Sequence, residues 1–241
     1  IPIDNEEISQ SELNIDNTTR SNVFCWNGQF SPQFIETMLK KYAKQDFLVL
    51  DPFLGSGTTV SECARLGISA YGVELNVSAF WMAKTYECSN LSLMERWRIV
   101  AEVDKIISLI PNNENILDYI LQGIKRNDDI MVTNILSTLV IVMDVYKNAI
   151  TIELVNIKWE WLKNLILTLP YSEEKICVNR GDSRNIALND SVADMVITSP
   201  PYINVFNYHQ KYRRSVEALG YDVLKIARSE FGANRKNRGN R

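Results

Sequence analysis

Phe47-Leu48-Val49-Leu50 is a continuous apolar run that ends in Asp51-Pro52-Phe53-Leu54-Gly55-Ser56-Gly57-Thr58-Thr59. A run that short, apolar at every position, marks a strand buried on both faces. The glycines at its carboxyl end let the backbone turn sharply and approach a ligand with no Cβ in the way. A helical pattern (Val60, Cys63, Ala64, Leu66) follows and closes at Gly67. Ser69 to Leu75 then reads as a second strand and Ser78 to Tyr86 as a second helix. Strand, turn, helix, strand, helix is the opening of a doubly wound α/β sheet. No lysine follows the second glycine, so the loop is not a phosphate loop of the GxxxxGK[ST] kind.

The rest of the chain divides around this unit. Residues 1–23 are polar and aperiodic in their first twenty, an exposed arm or an ordered loop. Residues 24–90 hold the strand–loop–helix unit, preceded by a helix over 31–44 with Ser31 as N-cap and Pro32 at its first position. Residues 91–172 carry one glycine (Gly123), and apolar residues recur at helical spacing in Met94–Ile110, Ile116–Ile124, Ile130–Tyr146 and Ile152–Leu169. This stretch reads as an inserted helical subdomain, with Trp97, Tyr119, Trp159 and Trp161 as packing residues. Residues 173–241 return to sheet rhythm: Lys175–Val178 leads into Gly181-Asp182, and Ala193–Ile197 leads into Thr198-Ser199-Pro200-Pro201-Tyr202. A helix is expected over 212–219.

Composition narrows the class. With 46% apolar residues and a net charge of −3, a disordered chain is excluded. No apolar run reaches the roughly 18–20 residues of a membrane span; Met131 to Met143 is too short and is broken by Thr133, Asn134, Ser137 and Thr138. Cys25, Cys63, Cys88 and Cys177 form no CxxC pair and there is one histidine, His209. The expectation is reduced thiols in a cytoplasmic protein, with no metal site. Charge is uneven. Residues 210–241 hold nine Lys/Arg and three acids, leaving 17 basic and 26 acidic residues in 1–209 of totals of 26 and 29. A positive segment of +6 on a body of −9 suggests a polyanion at one face.

The candidate chemistry lies at strand ends. Glu74, closing the second strand, can hold the two ribose hydroxyls of a nucleoside, and Asp182, closing the third, can accept from the exocyclic amine of an adenine. With the glycine loop they describe an adenosine-containing ligand at the carboxyl edge of the sheet. At the fourth strand end, two successive prolines remove two N–H donors and leave rigid carbonyls free to face a ligand. The Pro200 carbonyl and the Ser199 hydroxyl can take the two N–H groups of an aromatic amine and favour its nucleophilic form, while Tyr202 stacks on the base. Beyond it, Asn204, Asn207, Tyr208, Gln210 and Tyr212 interleave aromatics with amides. Arg213, Arg214, Arg235, Lys236 and Arg238 then offer charges to phosphates.

Together the two loops resemble the amino-methylating DNA methyltransferases, enzymes that use S-adenosylmethionine to modify N4 of cytosine or N6 of adenine. Asp51-Pro52-Phe53-x-Gly55-Ser56-Gly57-Thr58-Thr59 looks like that family's cofactor loop and Thr198-Ser199-Pro200-Pro201-Tyr202 like its catalytic loop. The resemblance implies a Rossmann-like methyltransferase sheet, with Glu74 on the ribose, Asp182 on the adenine and Phe30-Ser31-Pro32 flanking the methionine end of the cofactor. It covers roughly 24–90 and 173–210. Three features depart from it. The cofactor loop precedes the catalytic loop, whereas many relatives with this loop have the reverse order. About 80 residues separate the second and third strands. Four strands are read where the family has seven. The chain also starts without Met and stops in a basic stretch. The α/β sheet is therefore expected to be incomplete at its C-terminus, the last strands and the target-recognition region being absent, disordered or donated by another chain.

The resemblance favours cytosine N4 over adenine N6, because Ser rather than Asp or Asn stands before Pro-Pro. Cytosine-C5 chemistry needs a cysteine nucleophile, typically beside a proline, and no Pro-Cys occurs. The expected setting is a restriction–modification or related defence system, with double-stranded DNA as partner and a cognate restriction endonuclease beside it. The rival readings are an RNA or protein amino-methyltransferase, whose loops usually read Asn-Pro-Pro-Tyr, and a catalytically silent cofactor- or DNA-binding fragment.

Overall fold

The four runs expected as strands form one sheet in the computed structural model, which describes residues 3–14, 20–21, 23–111, 115–145, 149–201, 208 and 210–229. They are β1 (Leu48–Asp51), β2 (Ser69–Glu74), β3 (Ile176–Arg180) and β4 (Met195–Val196). All pair in parallel, in the order β3-β2-β1-β4. Leu50 lies opposite Tyr71 on one side and Val196 on the other, and Glu74 lies opposite Arg180. The chain leaves β1 toward β2 and β3, then returns to the far side of β1 at β4. The carboxyl ends of β1 and β4 therefore flank the reversal point, where open α/β sheets hold their ligands.

Helices cover the sheet. One turn, α1 (Gln10–Leu13), precedes α2 (Pro32–Tyr42); α3 (Thr58–Leu66) carries the chain from β1 to β2; α4 (Val77–Lys84) runs into a 3-10 segment, Thr85–Asn90. Then come α5 (Leu93–Ser108), α6 (Ile116–Arg126), α7 (Ile130–Val142) and α8 (Ile152–Thr168), close to the four expected ranges. After β4 follow α9 (Arg213–Ala218) and α10 (Val223–Ser229). The sequence pattern did not single out α10. The described residues of the N-terminal arm are tied to the body of the protein. A capping box between Ser9 and Glu12 starts α1, Tyr42 donates to Asp4 at 2.5 Å, and Arg20 bridges Glu36 and Glu62.

The helices after β2 share one core with the sheet. α7 is apolar on nearly every side and buried from Ile135 to Ile141, as a helix without a polar face must be. Its Thr138 hydroxyl donates to the Trp81 carbonyl of α4 at 2.7 Å. The outer edge of β3 is covered by side chains of the 3-10 segment: Glu87 accepts from Val178 N–H, Asn90 accepts from Ile176 N–H, and Asn90 donates to the Glu174 carbonyl. An exposed edge would otherwise invite pairing with another chain. Arg96, almost fully buried, directs its guanidinium at the carbonyls of Leu91, Ile166, Leu169, Ser89 and Pro170. It thereby satisfies the groups that the C-terminus of α8 leaves open. Of the four expected packing aromatics, Trp159 is buried and Trp161 meets Phe24 edge-on, but Trp97 is 53% exposed. It lies on α5 away from the Arg96–Ile99–Val103 face.

Gly72 interrupts β2 for a steric reason. A Cβ there would stand 2.3 Å from Leu54 Cδ2, and Leu54 is the buried residue at the centre of the glycine loop. Gly72→Ala is expected to cost about 1–3 kcal/mol by overpacking. In a Leu54→Ala background the same change should cost under about 0.5 kcal/mol, because the clash is gone. Urea denaturation of the four proteins measures this coupling.

Candidate cofactor and catalytic site

The glycine loop hangs from the end of β2. Leu54 N–H donates to the Val73 carbonyl, and Gly55 N–H donates to Glu74 Oε2 at 2.7 Å. The other carboxylate oxygen, Oε1, accepts from Asn76 N–H at 2.7 Å. Gly57 has φ +101° and caps α3; a Cβ on it would stand 2.8 Å from the Tyr86 ring and 3.0 Å from Ala83 Cα. Here glycine is required by both backbone and space.

Beneath this loop lies Asp51, 1% exposed. Its Oδ2 accepts from the Thr59 hydroxyl at 2.6 Å. Its Oδ1 accepts from the Thr198 hydroxyl at 2.7 Å and from Phe53 N–H at 3.1 Å. One carboxylate therefore joins the start of α3 to the loop after β4. Burial drives its pKa up from the ordinary carboxylate value to about 6, against the pull of these three donors.

The third wall follows β3. Gly181 N–H donates to the Glu74 carbonyl at 3.1 Å, which sets Asp182 beside Glu74. Asp182 is gripped by Arg184, and the guanidinium holds its carboxyl down at about 2. The fourth wall is the segment before α2. Trp26 stacks on Tyr208 with centroids 5.5 Å apart, Tyr212 donates to the Cys25 carbonyl at 3.0 Å, and Phe30 stacks on Phe34.

These walls enclose a cleft that opens to solvent on one side. Of the sequence-predicted cofactor residues, Phe30, Pro52, Phe53, Gly55, Thr58, Glu74 and Asp182 line it, joined by Ser199 and Pro201 from the loop after β4. Asp51, Ser56, Gly57 and Thr59 support the loop from behind, where Ser56 donates to Gln29 Oε1 at 2.8 Å. Ser31 caps α2 and Pro32 is buried at its first position, so both act on the helix rather than on the cleft wall. Pro200 is exposed beside the cleft.

Residues 4–85 match the model of a DNA methylase family, that of the N6 and N4 methyltransferases. Over 51 residues the chain is 37% identical to the Type II methyltransferase M.MjaII of Methanocaldococcus jannaschii, a match that covers 21% of this chain and 10% of that protein. No solved structure matches the chain. The likeness to DNA methylases is thus carried by residues 4–85, about a third of the chain.

The matched segment contains Phe30–Pro32, the glycine loop and Glu74, and stops before Asp182 and the Thr198–Pro201 loop. Tyr202, Asn204, Asn207, His209, Arg235, Lys236 and Arg238 lie outside the described residues. Arg213 is paired with Glu217 at 2.7 Å, and Arg214 is exposed on the same helix. The pattern did not mark Trp26, Gln29, Asn76 or Tyr208 as cleft residues. Asn76 had a readable signal, an Asn two residues before the Ser78 helix start, and it caps α4 by accepting from Ser78 N–H. Among the described residues no His/Cys/Asp/Glu group is placed to hold a metal, and no helix is long and apolar enough to cross a membrane.

A carboxyl whose pKa is higher folded than unfolded favours the native state most at low pH; for Asp51 that contribution falls as pH rises from about 4 to about 6. Thr198→Val removes one donor to the ionised form. It is expected to cost about 1–3 kcal/mol at pH 7.5 and clearly less at pH 4.5, where Asp51 is protonated in the native state. Denaturation of both proteins at the two pH values checks the difference, and an equal cost at both would exclude an ionised Asp51 at this junction.

Proposed function

We propose that the cleft binds S-adenosylmethionine and that the protein methylates an exocyclic amine of a base in double-stranded DNA, cytosine N4 before adenine N6. The observation that carries this reading is the joining of two separate loops by one buried carboxylate: Asp51 holds Thr59 behind the glycine loop and Thr198 at the head of Ser199-Pro200-Pro201. The cleft fits the cofactor's parts. Glu74 lines the cleft where ribose hydroxyls would lie, Asp182 has one acceptor site left for the adenine amine, and Trp26, Phe30 and Phe53 supply apolar wall.

When bound, the cofactor supplies a methyl group on a sulfonium sulfur; transfer joins that carbon to the base nitrogen as the carbon–sulfur bond breaks, leaving a thioether and releasing one amine proton. Ser199 Oγ and the Pro200 carbonyl accept the two N–H groups of the target amine and turn its lone pair out of conjugation. The released proton passes to water at the exposed Pro200 edge. Holding amine and methyl donor in line is positioning chemistry, which contributes much of such a rate. Tyr202 stacks on the extruded base, and Arg213, Arg214, Arg235, Lys236 and Arg238 meet phosphates. The setting proposed is a restriction–modification system in the cytoplasm, beside a cognate endonuclease; the relative matched over 51 residues is named a type II methyltransferase.

Calorimetry with S-adenosylhomocysteine is expected to show binding by the wild-type chain and at least about tenfold weaker binding by Glu74→Gln. Mass spectrometry of DNA incubated with the intact protein and the methyl donor should then show N4-methylcytosine. N6-methyladenine in its place would reassign the base, and methylated RNA or protein without methylated DNA would overturn the substrate.

A further inference from the structure

Asp182 stands on an exposed loop, where a short acidic side chain is normally free to turn to solvent. Here it is not. Its Oδ1 accepts from the backbone N–H of Arg184 at 3.0 Å and from Nε of the same residue at 2.8 Å, while Oδ2 accepts from Nη2. The contact is a two-pronged guanidinium–carboxylate pair, which fixes the carboxylate plane as well as its charge. The guanidinium is itself anchored: Nη2 also donates to the Ser229 carbonyl at the end of α10, at 3.1 Å. Arg184 therefore has one orientation although its side chain is 63% exposed.

Counting acceptor sites gives the consequence. Oδ1 has both lone pairs engaged, by a backbone donor and by Nε. Oδ2 has one engaged, so one acceptor site remains on a carboxylate that lines the cleft beside Glu74. We infer that Arg184 is a positioning and specificity-determining residue: it leaves Asp182 a single outward acceptor, and so makes the cleft select a nucleoside that carries an N–H donor at the purine 6-position. This rests on the reading that Asp182 faces the adenine of the cofactor. The low carboxyl pKa is consistent with it, because an ionised Asp182 accepts and does not donate.

The test compares S-adenosylhomocysteine with its analogue lacking the 6-amino group, by calorimetry, on wild type, Arg184→Met, Arg184→Lys and Asp182→Asn. Loss of the amine is expected to weaken binding to wild type by about tenfold. In Arg184→Met the two ligands should differ by less than about threefold, with Arg184→Lys between, since ammonium restores charge and one donor but not the fork. A general weakening through the lost Ser229 contact would lower both affinities and leave their ratio unchanged. A wild-type ratio preserved in Arg184→Met while Asp182→Asn abolishes it would overturn the role of Arg184 alone. A ratio preserved in a further variant, Asp182→Ala, which has no side-chain acceptor, would overturn the placement of adenine at Asp182. Absence of binding by the wild-type chain to either ligand would overturn the cofactor reading itself.

Discussion

A single buried carboxylate organises the cleft. Asp51 ends β1, the strand on which the sheet reverses, and its two oxygens reach in opposite chain directions, to Thr59 eight residues on and to Thr198 far beyond the helical layer. Placing a charge there is unfavourable, as its raised pKa shows. Three donors offset the cost, and they are the residues that must be kept in register: the turn after β1, the start of α3 and the loop after β4. An apolar residue at this position would be easier to bury but would leave the two loops unconnected. The arrangement illustrates a buried polar group whose worth lies in fixing one geometry rather than in net stability.

Glu74 repeats the device at the next strand end, half-buried at the wall of the cleft. Its carboxylate ties Gly55 to Asn76 by backbone donors, so contacts within the chain shape the loop. In the proposed reading, a loop held in this way leaves little ordering to be done on binding. Asp182 is held by one residue alone, Arg184, which supplies both a backbone N–H and its guanidinium.

What the amino-acid order made legible is local. The strands, the glycine loop, the Ser31-Pro32 start of α2 and the four long helices each follow from periodicity or capping within a dozen residues, and each was readable to within a few positions. The contacts that shape the cleft are not local. Thr198 to Asp51, Trp26 against Tyr208 and the Asn90 cover of β3 join residues far apart in the chain, and no spacing rule announces them. Gly72 was a readable signal of another sort, since a glycine inside a strand marks a close approach; its partner, Leu54, emerges only from the geometry. Arg96 is the opposite case: a charged residue in a helix reads as solvated, yet it is buried among carbonyls that the end of α8 exposes.

The helical layer touches none of the cleft-lining residues' own elements at random; its link to the site is a line of rings. Trp161 of α8 meets Phe24 edge-on at 5.5 Å, Phe24 meets Tyr86 edge-on at 5.9 Å, and the Tyr86 ring occupies the space that a Cβ on Gly57 would need. Perpendicular ring pairs at these distances are favourable in their own right, by about 0.5–1.5 kcal/mol each. α7 supports the same line from below by packing on α4, which carries Ala83 against Gly57. A close-packed interior transmits displacement rather than absorbing it. The helices after β2 thus act on the cleft by fixing where Gly57 sits, and with it the first turn of α3 and the Thr59 hydroxyl that Asp51 receives.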